Sequence, residues 1–140
     1  MTPDEVRTFA ERHIGYRKAH DAAAVAADFA PDGVVESPSA GTHQGRDAIR
    51  RALQQWFDSF PDLRYTKEQI VADTDAAAIV FTLEGTQRGE FFGVPAAGQR
   101  LVFRGVLIQR FENDLIAHEQ RIYDFSGVLA RLGVIKISPS

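Results

Sequence analysis

The periodicity of the apolar residues changes once along this chain, near residue 61, and no other feature of the sequence constrains the fold as strongly. Before that point, apolar side chains recur at the three- and four-residue spacing of helices. After it, they alternate with polar side chains, as in half-buried strands, and predict strands at 63–72, 77–88, 99–111 and 115–123. Because the connections between these strands are short, we expect antiparallel hairpins and an α+β fold.

Three helices are predicted before the strands and one after them. The first begins with a capping box, in which Thr2 caps the helix, Pro3 takes its first position and Glu5 completes the box. Asp21 caps the second helix. The remaining predicted elements are a short strand at 34–37, a loop at 38–45, a helix at 46–60 and a closing helix at 126–133.

The length and the absence of cysteine limit the chemistry that the chain can perform. The chain has 140 residues, which is the size of one domain, and we expect residues 1–140 to form a single one. It contains no cysteine, which excludes disulfides, thiolate nucleophiles and cysteine-bound metals.

The charge distribution argues against two classes of partner. The formal net charge is −3 and no block of Lys and Arg is present, so we expect no nucleic-acid partner. No apolar run approaches the ~20 residues of a membrane span, so we expect no membrane contact. The N-terminal residues are acidic and lack the apolar core of a signal peptide, which favours a cytoplasmic location.

The last predicted strand carries ionisable residues and ends at an aspartate. Simple alternation places one set of side chains on the same face, and a β-bulge would exchange this set for the opposite one. The set is Ile116, His118, Gln120, Ile122 and Asp124, and the opposite set is Ala117, Glu119, Arg121 and Tyr123.

Asp124 is the candidate catalytic acid–base residue of this strand. Among Ile and Phe side chains a carboxylate is poorly hydrated, so its pKa should rise and suit it to exchange protons near neutral pH. His118 lies on the same predicted face as Asp124 and is the candidate second acid–base or hydrogen-bonding group. The alternative is structural: Asp124 caps the closing helix and His118 is a satisfied core or interface histidine.

Five residues are candidates for binding a small apolar ligand. The aromatic side chains of Tyr16, Trp56 and Phe60 could line a pocket, although most such residues only fill a core. Gln87 lies where a strand ends and could bind a carbonyl group, or it could be a plain exposed strand end. Gln120 shares the predicted face of Asp124.

No motif for metal, nucleotide or serine-hydrolase chemistry is present in the sequence. The four histidines, at positions 13, 20, 43 and 118, lack the spacing of metal ligands. We therefore expect no metal and no cofactor, and any catalysis should be acid–base chemistry in an apolar pocket.

Three stretches together resemble the SnoaL-like polyketide cyclase branch of the nuclear-transport-factor-two-like superfamily, which also contains ketosteroid isomerases. They are GRDAIRRALQQWFDSFPDLRY (45–65), GTQRGEFFGVPAAGQRLVFRG (85–105) and ENDLIAHEQRIYDFSGVLARLG (112–133). The resemblance implies a cone-shaped, curved, mixed or antiparallel sheet wrapped around the N-terminal helices and enclosing an apolar cavity.

The resemblance also implies a reaction. Asp124 matches the acid–base aspartate of the cyclases, which serves the intramolecular aldol closure of a polyketide ester without metal or cofactor. His118 or Gln87 would then stabilise the enolate oxygen. Gln87 stands where the family has a histidine. Ser37 stands where the isomerases have their catalytic aspartate, and the segment 104–106 lacks the acid of the epoxide hydrolases.

Three functions stay open from the sequence. The first is an enzyme acting on a small apolar carbonyl compound, of the cyclase, isomerase or epoxide hydrolase type. The second is a binding or accessory module whose carboxylate is paired with Arg104 or Arg121 and has a lowered pKa. The third is a structural, dimerising domain. The resemblance implies a homodimer formed through the sheet.

Overall fold

The computed structural model describes residues 1–39 and 41–136. None of the helices in these ranges is long and apolar enough to cross a membrane. The elements are α1 (Pro3–Lys18), α2 (Ala22–Ala27), β1 (Phe29–Ser37), β2 (Gly41–Gln44), α3 (Arg46–Ser59), β3 (Arg64–Ala72), β4 (Ala76–Thr86), β5 (Arg100–Glu112), β6 (Leu115–Tyr123) and α4 (Phe125–Arg131).

The helices form where the sequence predicts them. The capping box at the start of α1 is present: Glu5 N donates to Thr2 Oγ1 over 3.1 Å, and Thr2 N donates to Glu5 Oε1 over 2.9 Å. The apolar side chains of α3 recur on one face, which is buried against the sheet and α2. Its buried residues are Ile49, Leu53, Trp56, Phe57 and Ser59.

The strands form a six-stranded mixed sheet in the order β2-β1-β6-β5-β4-β3. The neighbours from β3 to β6 are antiparallel, as the short connections predict. β1 pairs in parallel with β6, which the chain reaches only after β2, α3 and the three strands β3, β4 and β5. The sheet curls without closing, and the helices cover its buried face. The predicted α+β cone fold is confirmed.

The first edge of the sheet differs from the sequence-based expectation. β1 begins at Phe29 rather than at residue 34, and residues 41–44, predicted to be loop, form the edge strand β2. Gly41 has a φ of +70°, a conformation that glycine adopts without strain, and residues from this position onward pair antiparallel with β1. β2 brings His43 next to Val35 in the register.

A β-bulge in β6 decides which side chains face the helices. Arg110 pairs with His118, but the next residue of β5, Phe111, pairs with Ile116, so Ala117 is the extra residue. The alternation therefore reverses between Ile116 and Glu119, both of which are fully buried. The predicted face assignment is wrong from His118 onward: Glu119, Arg121 and Tyr123 face the helices, whereas Gln120 and Ile122 are exposed.

Candidate active site

A groove of about 270 Å³ lies between α3, the β1–β2 edge, β6 and the loop after β4. Its walls combine apolar surface from α3 with polar groups from the strands. We call it the groove, and it is lined by Ser37, Ser39, His43, Ala48, Arg51, Ala52, Gln55, Trp56, Phe92 and Arg121.

A much smaller interior cavity, of about 30 Å³, lies between the helices and the sheet. That volume is about a tenth of the ~300 Å³ at which ligand pockets begin, so side chains fill most of the interior. Trp56 and Arg121 line both spaces, so the interior cavity adjoins the groove. The interior cavity is lined by Arg17, Leu53, Trp56, Tyr65, Phe81, Leu83, Phe103, Leu107, Arg121 and Tyr123.

Glu119 is fully buried and has hydrogen-bonding partners on both carboxylate oxygens. Its Oε1 accepts from Arg17 Nη2 over 2.9 Å and from Gln109 Nε2 over 2.8 Å. Its Oε2 accepts from Arg121 Nε over 3.0 Å. Each donor side chain is itself nearly or fully buried, so these charge-assisted bonds lie away from bulk water.

The two arginines keep Glu119 ionised. Burial alone would raise the pKa of this carboxyl, but the charges of Arg17 and Arg121 and the bond from Gln109 outweigh it and lower the pKa from 4.5 to about 2. For Arg17, burial lowers the pKa, but Glu119 and Tyr65 together raise it by more, so the pKa of Arg17 lies above its usual value. Glu119 is therefore a structural anion near neutral pH and cannot deliver a proton there.

His13 extends this network toward the surface. Arg17 Nε donates to His13 Nε2 over 3.0 Å, and because an arginine can only donate, this ring nitrogen must carry no proton. The proton is then on Nδ1, which donates to Asp28 Oδ2 over 2.9 Å. Burial and the charge of Arg17 lower the pKa of His13. His13 is thus a neutral link between Asp28 and Arg17.

The groove holds a second histidine and a cluster of hydroxyl groups. Burial and the positive charge of Arg121 lower the pKa of His43 below 6.5, so its imidazole is neutral at pH 7. On the adjoining strand, Ser37 Oγ lies 3.0 Å from Ser39 Oγ, which accepts from Tyr123 Oη over 2.7 Å. A neutral base, a cation and several hydroxyls therefore meet around one opening.

The structure places the two predicted catalytic residues away from this site. Asp124 is exposed and caps α4, with its Oδ1 accepting from Gly127 N over 3.1 Å. His118 faces away from the helices and lies 3.3 Å from Glu36, measured from Nε2 to Oε2. Neither residue lines the groove or the interior cavity. The reversal of alternation at Ala117 is the cause, and a catalytic role for either residue stays a prediction.

Of the five predicted ligand-binding residues, only Trp56 lines the groove and the interior cavity. Phe60 is fully buried and stacks on Trp56 at a centroid distance of 5.8 Å, so it belongs to the core. Tyr16 is half-buried against the same core. Gln120 is exposed on the outer face.

Gln87 has a structural position. It is fully buried, and its Nε2 donates to the carbonyl oxygens of Gly89 and Val94 over 3.1 and 2.9 Å. These bonds hold the segment that carries Phe92 to the groove. The predicted carbonyl-binding role would require the amide to face a cavity, and it faces the backbone of its own loop.

Sequence reasoning missed His43, Arg17 and Glu119 as members of the site. A signal for Arg17 was present, because it follows His13 at helical spacing on the apolar face of α1. Two ionisable residues on a buried face need partners, and an internal carboxylate is the natural one. No comparable signal identifies His43, since β2 was not predicted.

The residues that the structure describes include no group of three or more histidine, aspartate or glutamate side chains placed to hold a metal ion. The polar groups of the site are instead bonded to one another, through Glu119 in the interior and through the hydroxyl cluster at the groove.

The curled sheet, the covering helices and the groove at their edge define a protein of the nuclear-transport-factor-two-like class. The chain belongs to the SnoaL-like polyketide cyclase family, whose model matches residues 5–132. No curated protein matches the chain.

Solved structures support the fold over nearly the full chain. TsrD from Streptomyces laurentii is 24% identical, with a TM-score of 0.84 over 96% of this chain and 99% of that one. AclR from Streptomyces galilaeus, whose assignment as a hydroxylase is provisional, is 23% identical, with a TM-score of 0.84 over 99% and 91%. IdmH from Streptomyces antibioticus, provisionally a polyketide cyclase, is 27% identical, with a TM-score of 0.70 over 86% and 92%.

Proposed function

We propose that this protein binds a small apolar carbonyl compound in the groove and catalyses cofactor-free acid–base chemistry on it, of the polyketide ester cyclase type. Membership of the SnoaL-like family supports the reaction class. The observation that carries the proposal is the neutral imidazole of His43 beside the cation of Arg121 in one opening.

In this proposal His43 is the general base. It takes a proton from the carbon next to a carbonyl group, and the electron pair of the broken C–H bond moves into the carbonyl to form an enolate. The guanidinium of Arg121 stabilises the enolate oxygen. The enolate carbon then attacks a ketone of the same molecule, forming the new C–C bond. Protonated His43 returns its proton to the alkoxide, so no other reactant is needed.

Asp124 and His118, the sequence-based candidates, are the competing proton shuttles. For either to act in the groove, the end of β6 would have to turn its outer face toward α3. Substitution distinguishes them from His43, because Asp124 and His118 lie outside the groove and contact Gly127 and Glu36, whereas His43 lines the groove.

Deuterium exchange tests the proposed proton transfer without the natural substrate. 2-Acetylnaphthalene has an apolar body and exchangeable methyl protons next to its carbonyl, and proton NMR in D₂O follows their loss. We expect the protein to accelerate the exchange, and His43→Gln to remove the acceleration, by a factor of about 10² or more. His118→Gln, the matched histidine control, should leave it unchanged. Exchange lost in Asp124→Asn but retained in His43→Gln would contradict the proposal and return the role to Asp124.

A second candidate is a binding module without chemistry. It is supported by Glu119, the interior carboxylate, which is ion-paired with Arg121 and ionised, as expected for a module of this kind. Retained binding of 2-acetylnaphthalene without any acceleration of exchange would favour this second function.

A further inference from the structure

We propose that the ligand of the groove carries a carboxylate or another singly charged oxyanion, and that Arg121 binds it. The inference concerns the same groove as the proposed function and depends on that function only for its location.

Arg121 is held at the groove by one edge of its guanidinium. Its Nε donates to Glu119 Oε2 over 3.0 Å, and its side chain is 9% exposed. Among residues 1–39 and 41–136, neither of its terminal nitrogens has a hydrogen-bond partner. The terminal nitrogens are not among the buried unpartnered atoms and Arg121 lines the groove, so its guanidinium can offer these unused donors to an oxygen acceptor there.

The local charge balance favours an anion over a neutral acceptor. Glu119 is shared between Arg17 and Arg121, so one carboxylate faces two guanidinium groups. The next carboxylate of the network, Asp28, is separated from Arg17 by the neutral His13. Its own charge is paired with Arg12, whose Nη2 lies 3.8 Å from Asp28 Oδ1. One positive charge beside the groove is therefore left without a matching anion in its immediate surroundings.

The rest of the groove defines the body of the ligand. Trp56, Phe92 and Ala52 supply apolar surface to the groove that Arg121 also lines. His43 and the hydroxyls of Ser37 and Ser39 supply neutral polar groups around it. A flat apolar molecule with one terminal carboxylate or enolate fits this division, with its charge at Arg121 and its rings along α3.

Arg17 does not offer the same binding capacity. It is 2% exposed, and its Nε and Nη2 are bonded to His13 and Glu119. Arg51, the third guanidinium near the groove, is 66% exposed and donates to Asp47 over 2.7 Å. Arg104 is 71% exposed, donates to Glu68 over 2.7 Å and lines neither the groove nor the interior cavity, so it is the control for a merely attractive surface charge.

The test compares two probes of nearly equal shape, 1-naphthoate and 1-naphthamide, by equilibrium titration followed calorimetrically. Because a hydrogen bond to a charged group adds about 1.5–3 kcal/mol, we expect the naphthoate to bind at least about tenfold more tightly to the native chain. In Arg121→Gln the difference in affinity should fall to about threefold or less, and in Arg104→Gln it should persist.

Circular dichroism establishes first that each variant is folded. If Arg121→Gln does not fold, Arg121→Lys is the second variant: it keeps the charge but loses the planar fork, and the preference should fall while remaining measurable. The inference is overturned if the native chain binds naphthamide as tightly as naphthoate, or binds neither. It is also overturned if the preference survives intact in folded Arg121→Gln.

These outcomes are independent of turnover. A preference for naphthoate with no effect of His43→Gln on deuterium exchange would reject the proposed chemistry and support the anion site. Accelerated exchange that depends on His43, with no preference for naphthoate, would support the proposed chemistry and reject the anion site.

Discussion

Replacing Glu119 with glutamine should destabilise the protein strongly and in a pH-dependent way. The substitution keeps the size of the side chain but removes the anion that holds Arg17 and Arg121. Two buried or nearly buried guanidinium groups would then lack their shared counter-ion. Breaking a buried ion pair by removing one partner costs about 3–5 kcal/mol, because the remaining charge is left desolvated.

The pKa of Glu119 gives a second route to the same magnitude. A shift from 4.5 in the unfolded chain to about 2 in the folded one corresponds to about 3 kcal/mol of stability. Because the folded pKa is the lower one, this stability is fully present above pH 4.5 and is lost as the pH falls toward 2. The glutamine of Glu119→Gln cannot titrate. The difference in the free energy of unfolding between the native chain and this variant should therefore be about 2 kcal/mol smaller at pH 3 than at pH 7.

Urea unfolding of both chains at pH 7 and pH 3, followed by circular dichroism, measures this gap. Glu68→Gln is the matched control, since Glu68 accepts from Arg104 over 2.7 Å on the outer face. An exposed pair of this kind should cost about 1 kcal/mol or less. The reasoning is refuted if Glu119→Gln lowers the free energy of unfolding at pH 7 by no more than Glu68→Gln does. It is also refuted if the difference between Glu119→Gln and the native chain is as large at pH 3 as at pH 7.

Two further substitutions test the packing around the site. Gly105→Ala should destabilise the protein by about 1–3 kcal/mol, because the new Cβ would lie 2.8 Å from Phe81 Cζ. Gly15→Ala, in α1, is the matched control: its Cβ would meet nothing within 4 Å, and the change should stabilise the protein by about 0.5–1 kcal/mol. Equal denaturation midpoints for the two variants would contradict this account. Gln87→Leu should cost about 1–3 kcal/mol and speed proteolysis between residues 88 and 98, since two loop carbonyls lose their donor. Unchanged proteolysis would show that the loop is held by other contacts.

The fold could be predicted because its signals are local and repeated. The capping box at Thr2, the apolar face of α3 and the alternation of β4 each arise from side chains close together in the sequence. The family motifs then supplied the order in which the elements pack. β2 was missed because four residues, GTHQ, carry too little periodicity to separate a strand from a loop.

The site could be predicted only in part, because its geometry depends on one irregular residue. Ala117 is the extra residue of the bulge in β6, and nothing in its side chain distinguishes it from a residue in regular pairing. Its insertion turns Glu119 and Arg121 inward and Gln120 outward. A one-residue change of register moves every following side chain to the other face, so local patterns fix the strand but not its inner side.

The charged network raised the same difficulty at longer range. Arg17 and Glu119 are 102 residues apart in sequence and 2.9 Å apart in the structure. The sequence indicates that a buried arginine on α1 needs a partner but does not say which of the many carboxylates supplies it. The sequence-based alternative pairs the aspartate at the end of β6 with Arg104 or Arg121, whereas the carboxylate that Arg121 contacts in the structure is Glu119.

The central claim is that ligands bind in the groove between α3 and β6 rather than at the outer face near Asp124. The most direct measurement is a titration of isotope-labelled protein with 2-acetylnaphthalene, followed by NMR chemical shifts. The account predicts the largest changes at the imidazole of His43, the indole of Trp56 and the amide of Phe92. Changes centred on Asp124, His118 and Gln120, or no change at any of these residues, would contradict it.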